Sequence, residues 1–345
     1  MSASCRVPKG FPGRFFLTEK DVSGLASYLA GKAWLHASEV VQTIERAGAG
    51  NMNCVLRVRT NQRSFIVKQS RPWVEKYPAI AAPWDRSLIE QQFYRKTSTH
   101  AGIGARMPKL LAFDREERLL LMEDLGDARD FTFLYSDLNE MAQTDLLALT
   151  DYLVSLHTGF REPSLSGSFA NRDMRKLNHE HVFSFPLNSG NGLSLDSITH
   201  GLSALARQLQ QDAAFCKEVA EAGAAYLNSR AEGCLLHGDY FSGSWLKTEH
   251  GVFVIDPEFC FYGPPEWDMA VMLAHLHLAG QPAAMGGRAL SMYTAHAPLD
   301  RTLLLKFAGV EIMRRLIGVA QLPLAYGLRE KEELLQLARN LVLGC

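Results

Sequence analysis

Leu236-His237-Gly238-Asp239-Tyr240-Phe241-Ser242-Gly243-Ser244-Trp245-Leu246, followed by Val252-Phe253-Val254-Ile255-Asp256-Pro257-Glu258, is the stretch on which the reading of this chain turns. Residues 244–247 and 252–255 read as two short strands, and Thr248-Glu249-His250-Gly251 as the turn between them. Pairing them as a hairpin sets Ser244 opposite Ile255 and is expected to bring Asp239, Asp256 and Glu258 together at its open end. In an extended segment Asp256 and Glu258 share a face, and Pro257 fixes one φ angle between them. Hard oxygen donors flanking an open position suit Mg²⁺ held together with substrate phosphates. The plainer reading is a helix cap at Asp239 and solvated carboxylates at Asp256 and Glu258. It does not explain why all three are embedded among Leu235, Leu236, residues 252–255 and Phe259.

Working outward, residues 40–45, 54–60 and 64–68 carry β-type runs separated by turn residues, which predicts antiparallel strands. Residues 84–99, with Asp85 as a cap and Leu88, Ile89, Phe93 and Tyr94 at helical spacing, predict a helix. A second strand pair follows over 109–114 and 118–123. After Gly126 the apolar residues recur at intervals of three and four over 144–157, 197–211, 213–228, 264–278, 300–322 and 328–343, the signature of helices. Residues 160–195 are rich in Ser, Asn, Gly and His and read as a long functional or disordered loop, mobile at Ser189-Gly190-Asn191-Gly192. The expected architecture is therefore α+β in two lobes: a small antiparallel β-rich lobe over 1–124 and a larger, mainly helical lobe over 125–345.

Composition narrows the function classes. In 345 residues, 36 Lys and Arg balance 37 Asp and Glu for a net charge of -1, so no global field favours nucleic acid or an anionic membrane. No apolar run approaches the roughly 20 residues of a membrane span, and the first residues lack the apolar core of a secretory signal. A cytoplasmic protein is expected. The six cysteines show no CxxC spacing and read as reduced thiols. His157, His179, His181, His275 and His277 offer no metal-ligand set; His157, His275 and His277 read as structural, and Asp268 as a support for the loop through Asp239.

The His-Gly-Asp triplet, the hairpin and the following Asp resemble the aminoglycoside phosphotransferase and protein-kinase-like group. The resemblance implies that Asp239 takes the proton of an acceptor hydroxyl and that Asp256 holds Mg²⁺ on the phosphates of ATP, with Glu258 beside it. That group usually carries Asn five residues after the catalytic Asp, where this chain has Ser244, which would reach the metal through its hydroxyl or a water. Ser244 together with Asp256-Pro257-Glu258-Phe259 and Phe261-Tyr262-Gly263-Pro264 is similar to one branch in particular, the methylthioribose kinases.

Other segments fall where such a kinase needs them. Gly48-Ala49-Gly50-Asn51-Met52-Asn53 lies between two predicted strands; Gly48 and Gly50 allow close backbone approach to phosphate, and Asn51 and Asn53 can donate to it. An ordinary hairpin turn would look the same. Lys68 ends the next strand at the place of the lysine that binds the α- and β-phosphates, with Glu90 on the following helix as its ion-pair partner. Glu123-Asp124-Leu125 resembles the hinge whose backbone binds the adenine edge.

Arg314 and Arg315 point about 100° apart on one apolar helix. Two readings stay open for them: an ion pair with Glu311, three and four residues earlier, or donation to the acceptor. Methylthioribose kinases carry a similar pair that binds the sugar. The resemblance thus implies an ATP- and Mg²⁺-dependent kinase of a small sugar, with the anomeric hydroxyl of 5-methylthioribose as the leading acceptor. A kinase for a related 5-deoxy- or 5-modified pentose, another kinase of the aminoglycoside-phosphotransferase type, or a non-catalytic ATP-binding regulator are the alternatives. A homodimer is left open.

Overall fold

The computed structural model describes residue 11 and residues 13–48, 52–137, 139–161, 169–228 and 233–344. It is α+β and separates into two compact units, the first running through Gln92 and resuming over Lys109–Asp124, the second made of Phe93–Pro108 and Leu125–Cys345.

In the first unit, β1 (Val41–Arg46), β2 (Cys54–Thr60), β3 (Ser64–Gln69), β4 (Leu110–Asp114) and β5 (Leu119–Glu123) form one antiparallel sheet in the order β1-β2-β3-β5-β4. Period-two alternation sets its faces. Leu56, Val58, Phe65, Val67, Leu119 and Leu121 turn to one side and are buried against Leu25 and Leu29 of the helix Val22–Gly31. That helix was not expected. Its start is fixed by Asp21, whose carboxylate accepts from Gly24 N at 2.8 Å. Lys68, one residue beyond Val67, consequently faces the other side of the sheet, toward the helix Arg86–Thr97.

The second unit holds the helices Gln143–Gly159, Leu202–Gln211, Ala213–Leu227, Glu266–Leu278, Ala283–Thr294, Arg301–Ile317 and Leu328–Leu343. Glu266–Leu278 is apolar on nearly all sides and buried, as a central helix must be. Arg301–Ile317 packs against it and against Leu328–Leu343, where a Cβ on Gly309 would stand 2.5 Å from Ala338 O. A glycine is what lets these two helices approach so closely. The helix starts on Asp300, which caps Leu303 N at 3.1 Å, and ends at Ile317 rather than at residue 322, because the chain extends from Gly318. The segment 160–195 is also not all loop: Arg172–His179 is helical and continues through the wider π-helical stretch Glu180–Ser184 into a 3₁₀ turn over Phe185–Leu187. Among the described residues no helix is long and apolar enough to cross a membrane.

Five short strands frame the decisive stretch. β6 (Arg129–Asp130) precedes β7 (Cys234–Leu236), β8 (Trp245–Thr248), β9 (Gly251–Val254) and β10 (Phe261–Gly263). β8 and β9 form the expected hairpin, with Trp245 opposite Val254 and Ile255 N bonded to Ser244 O at 3.0 Å. β7 pairs with β10.

Candidate active site

The loop after β7 is held by backbone contacts that leave it little freedom. Asp268, fully buried in the first turn of Glu266–Leu278, accepts from His237 N at 2.6 Å and Gly238 N at 2.9 Å. Its neighbour Trp267 donates Nε1–H to Gly238 O at 2.8 Å. His157 Nε2 lies 3.2 Å from the same Asp268 carboxylate, and His157 Nδ1 lies 2.8 Å from Tyr293 Oη. His237 donates Nε2–H to Ile255 O at 2.9 Å, tying the loop to the end of the hairpin. Burial lowers the His237 pKa, against the opposing charge of Asp268. Gly238 has φ +89°, and a Cβ there would meet Phe259 O at 2.1 Å, so both conformation and space require glycine.

These anchors present Asp239, which remains partly exposed. Arg314 and Arg315 each place Nη2 3.3 Å from Asp239 Oδ1. Their Nε–H groups donate to Glu311, Arg314 at 2.5 Å and Arg315 at 2.7 Å. The two readings of the arginine pair are therefore not alternatives, since each guanidinium spans Glu311 and Asp239. Burial pushes the Glu311 carboxyl up, but Arg314, Arg315 and His275 outweigh it and hold the group well below the usual carboxylate range. The Arg315 guanidinium also stacks over the Phe241 ring at 4.5 Å.

Two expectations about the carboxylates need correction. Asp256 is in the left-handed region, φ +64° and ψ 50°, and Pro257–Phe259 turn as a short 3₁₀ helix, so Asp256 and Glu258 do not alternate along an extended strand. Among the described residues no group of three or more His, Cys, Asp or Glu side chains is placed to hold a metal ion, so the three carboxylates do not converge into one cluster. The reason is local: Asp239 turns to the arginines, and Glu258 is buried in the turn. That turn is clamped by Asn171, whose Nδ2 donates to Glu258 O at 2.9 Å and Cys260 O at 3.0 Å. Ser244 is buried and its Oγ donates to Asp239 O at 3.0 Å, so its hydroxyl proton is engaged by the loop itself. Asp256 and Glu258 remain two hard oxygen donors two residues apart in one turn, a complement that fits Mg²⁺, which takes few protein ligands when phosphates and waters fill the rest.

In the first unit, Lys68 Nζ donates to Glu90 Oε1 at 2.7 Å, both side chains almost fully buried. Asn53 is buried and its Oδ1 accepts from Arg86 Nε at 3.0 Å. Arg86 further donates to Met52 O at 2.8 Å and Arg71 O at 2.6 Å, pinning one end of the glycine-rich loop. Gly48, at the other end, has φ +76°; Gly50 and Asn51 lie outside the described residues. Glu123 ends β5 and accepts from Lys109 N at 3.0 Å. Asp124 is paired with Arg57 at 2.9 Å, and at Leu125 the chain returns to the second unit.

Sequence reasoning missed Arg86, Tyr135, Asn171 and Ser242, and gave His275 only a structural role. His275 Nε2 lies 2.9 Å from Glu311 Oε1, and its Nδ1 bonds Tyr135 Oη, which also meets Ser242 Oγ. No local pattern announces such contacts, because the partners lie far apart along the chain.

A sequence model described as the phosphotransferase enzyme family, APH, matches residues 43–300. A methylthioribose kinase of Exiguobacterium sibiricum is 26% identical over 254 residues, covering 70% of this chain and 62% of that protein. Methylthioribose kinase 1 of Oryza sativa subsp. japonica is 28% identical over 282 residues, covering 75% of this chain and 62% of the relative. Among solved structures, choline kinase LicA from Streptococcus pneumoniae is similar at a TM-score of 0.52 with 16% identity, covering 94% of this chain and 100% of that one. The last likeness concerns the fold.

Proposed function

Because this chain belongs to the phosphotransferase enzyme family, we propose that it uses ATP and Mg²⁺ to phosphorylate the anomeric hydroxyl of a 5-modified pentose, with 5-methylthioribose the leading acceptor. The observation that carries this reading is the pair of guanidiniums on one oxygen of Asp239. A carboxylate so held is oriented for an acceptor hydroxyl, and the same guanidiniums supply donors for a polar, hydroxyl-bearing ligand and a transferring phosphoryl group. The names of the similar curated proteins support the choice of acceptor.

In this reading Asp239 accepts the hydroxyl proton as the sugar oxygen bonds to the γ-phosphorus and the bond from that phosphorus to the bridging oxygen breaks, releasing ADP. Arg314 and Arg315 donate to sugar hydroxyls and to the phosphoryl oxygens. Lys68, held by Glu90, binds the α- and β-phosphates, and Gly48, Gly50, Asn51 and Asn53 form the phosphate loop. The backbone of Glu123, Asp124 and Leu125 takes the adenine edge. Asp256 and Glu258 hold Mg²⁺, which when bound neutralises charge on the phosphates. Ser244 fixes the backbone carbonyl of Asp239.

A panel of 5-modified pentoses, free pentoses, choline and aminoglycosides in a coupled ADP-release assay tests the proposal. The expected outcome is the highest kcat/KM for 5-methylthioribose. Preference for a different pentose would move the acceptor, preference for choline or an aminoglycoside would remove the sugar reading, and ATP binding without transfer to any of them would favour a non-catalytic regulator.

A further inference from the structure

The contacts around Asp239 close into a ring inside the second unit. From Asp239 Oδ1 the ring passes to Arg314 and Arg315, to Glu311, to His275, to Tyr135 and to Ser242, which lies on the same loop as Asp239. Glu311, His275, Tyr135 and Ser242 are all buried. Ionised Glu311 offers only acceptors, so His275 donates Nε2–H to it. A neutral imidazole then has only a lone pair at Nδ1, which accepts from the Tyr135 hydroxyl. Tyr135 oxygen in turn accepts from Ser242. Along Ser242, Tyr135, His275 and Glu311 every proton points one way, from the loop toward Glu311, and the two arginines close the ring by donating to both carboxylates.

We infer that His275 and Tyr135 are positioning residues for Asp239. They fix the Glu311 carboxylate so that both guanidiniums converge on Oδ1, and they tie that arrangement to the loop that carries Asp239. One oxygen of Asp239 is held, and the other is presented. Within the ring Asp239 meets only the donors of Arg314 and Arg315. The inference rests on the assignment of Asp239 as the base, but its geometric part does not depend on which acceptor is used.

Tyr135→Phe removes one oxygen and no charge, and His275→Leu removes both ring contacts. Each is expected to lower kcat by on the order of 10- to 100-fold through misplacement of the reacting groups, with the KM for ATP nearly unchanged. His275→Gln, whose amide supplies one donor and one acceptor, recovers most of that loss. In an Arg315→Met background Tyr135→Phe adds little, because the arginine that shares Glu311 Oε1 with His275 is gone. A lowered thermal midpoint with unaltered kcat, or losses that multiply independently in the double variant, would overturn the inference. Nitrogen-15 NMR of the wild-type imidazoles gives a readout that needs no substrate: His275 is expected neutral with the proton on Nε2, and a proton on Nδ1 contradicts the ring. If the wild type phosphorylates no member of the panel, the acceptor reading fails while the NMR result still decides the geometry.

Discussion

At the residue scale, Arg314 and Arg315 each satisfy a fully buried carboxylate and a partly exposed one with a single guanidinium. Replacing either by Met therefore does two things at once. It leaves Glu311 with one cation in place of two, at a cost of about 3 kcal/mol if it resembles other broken buried pairs, or roughly 6–12 °C in a unit of this size. It also removes a donor from the acceptor site, raising the acceptor KM about ten- to a hundred-fold. Thermal denaturation and both KM values on the same preparation check this, and a shift in only one of them would break the double assignment.

The pH dependence of stability follows from the same residues. Burial, with Arg315 and Arg314 beside it, pushes the His275 pKa down to about 4 despite its bond to Glu311. An unfolded chain takes up that proton near pH 6.5, so the stability contributed by neutral His275 is full above about 6.5 and is lost as pH falls toward 4. Glu311, depressed below the ordinary carboxylate range, adds a further loss at lower pH as its folded pKa is reached. The thermal midpoint is expected to fall from pH 7 to pH 4, and His275→Gln to flatten the upper part of that fall. A midpoint independent of pH over this interval would contradict the assignment.

At the element scale, the turn after β7 is the part least tolerant of change. Gly238→Ala puts a methyl within 2.1 Å of Phe259 O at a positive φ. Destabilisation of several kcal/mol is expected, at the upper end for single substitutions, and chemical denaturation measures it; a loss under about 1 kcal/mol would show that the loop relaxes freely. The hairpin that follows was legible because its strands, turn and chemical residues are contiguous, and the place of Ser244 opposite Ile255 came from counting alone. The flattening of Asp256 and Glu258 onto one face was misread because the left-handed conformation of Asp256 leaves no mark in residue type. The ring through Tyr135, His275 and Glu311 was illegible for a different reason: its members lie on three separated segments, and only packing brings them together. The helix Val22–Gly31 went unseen although Leu25 and Leu29 are four apart, because Gly24 and Gly31 weaken its helical signal.

At the scale of the whole molecule, balanced charge and apolar content placed the chain among globular proteins, and the apolar spacing changes from strand to helix period after Gly126. What spacing did not disclose is that Phe93–Pro108 belongs with the second unit, so the first unit is discontinuous in sequence. The second unit carries Asp256 and Glu258 as well as Asp239, Arg314 and Arg315, and the nucleotide and acceptor roles assigned to them are separable by experiment. Asp256→Ala is expected to abolish Mg²⁺-dependent ATP binding in a calorimetric titration, and Glu258→Ala to weaken it, because each leaves phosphate charge uncompensated. Unchanged affinity in both would make the two carboxylates structural.

The central claim is that Asp239 activates an anomeric hydroxyl, and phosphorus-31 NMR of the reaction mixture with 5-methylthioribose tests it most directly, run on the wild type and on Asp239→Asn. The account predicts a phosphate ester coupled to the anomeric proton in the wild type. It also predicts a rate lower by roughly 10²–10⁴-fold in the variant with ATP binding retained, the range expected for loss of a general base. An ester at another position, or a variant that turns over within about threefold of the wild type, would contradict it.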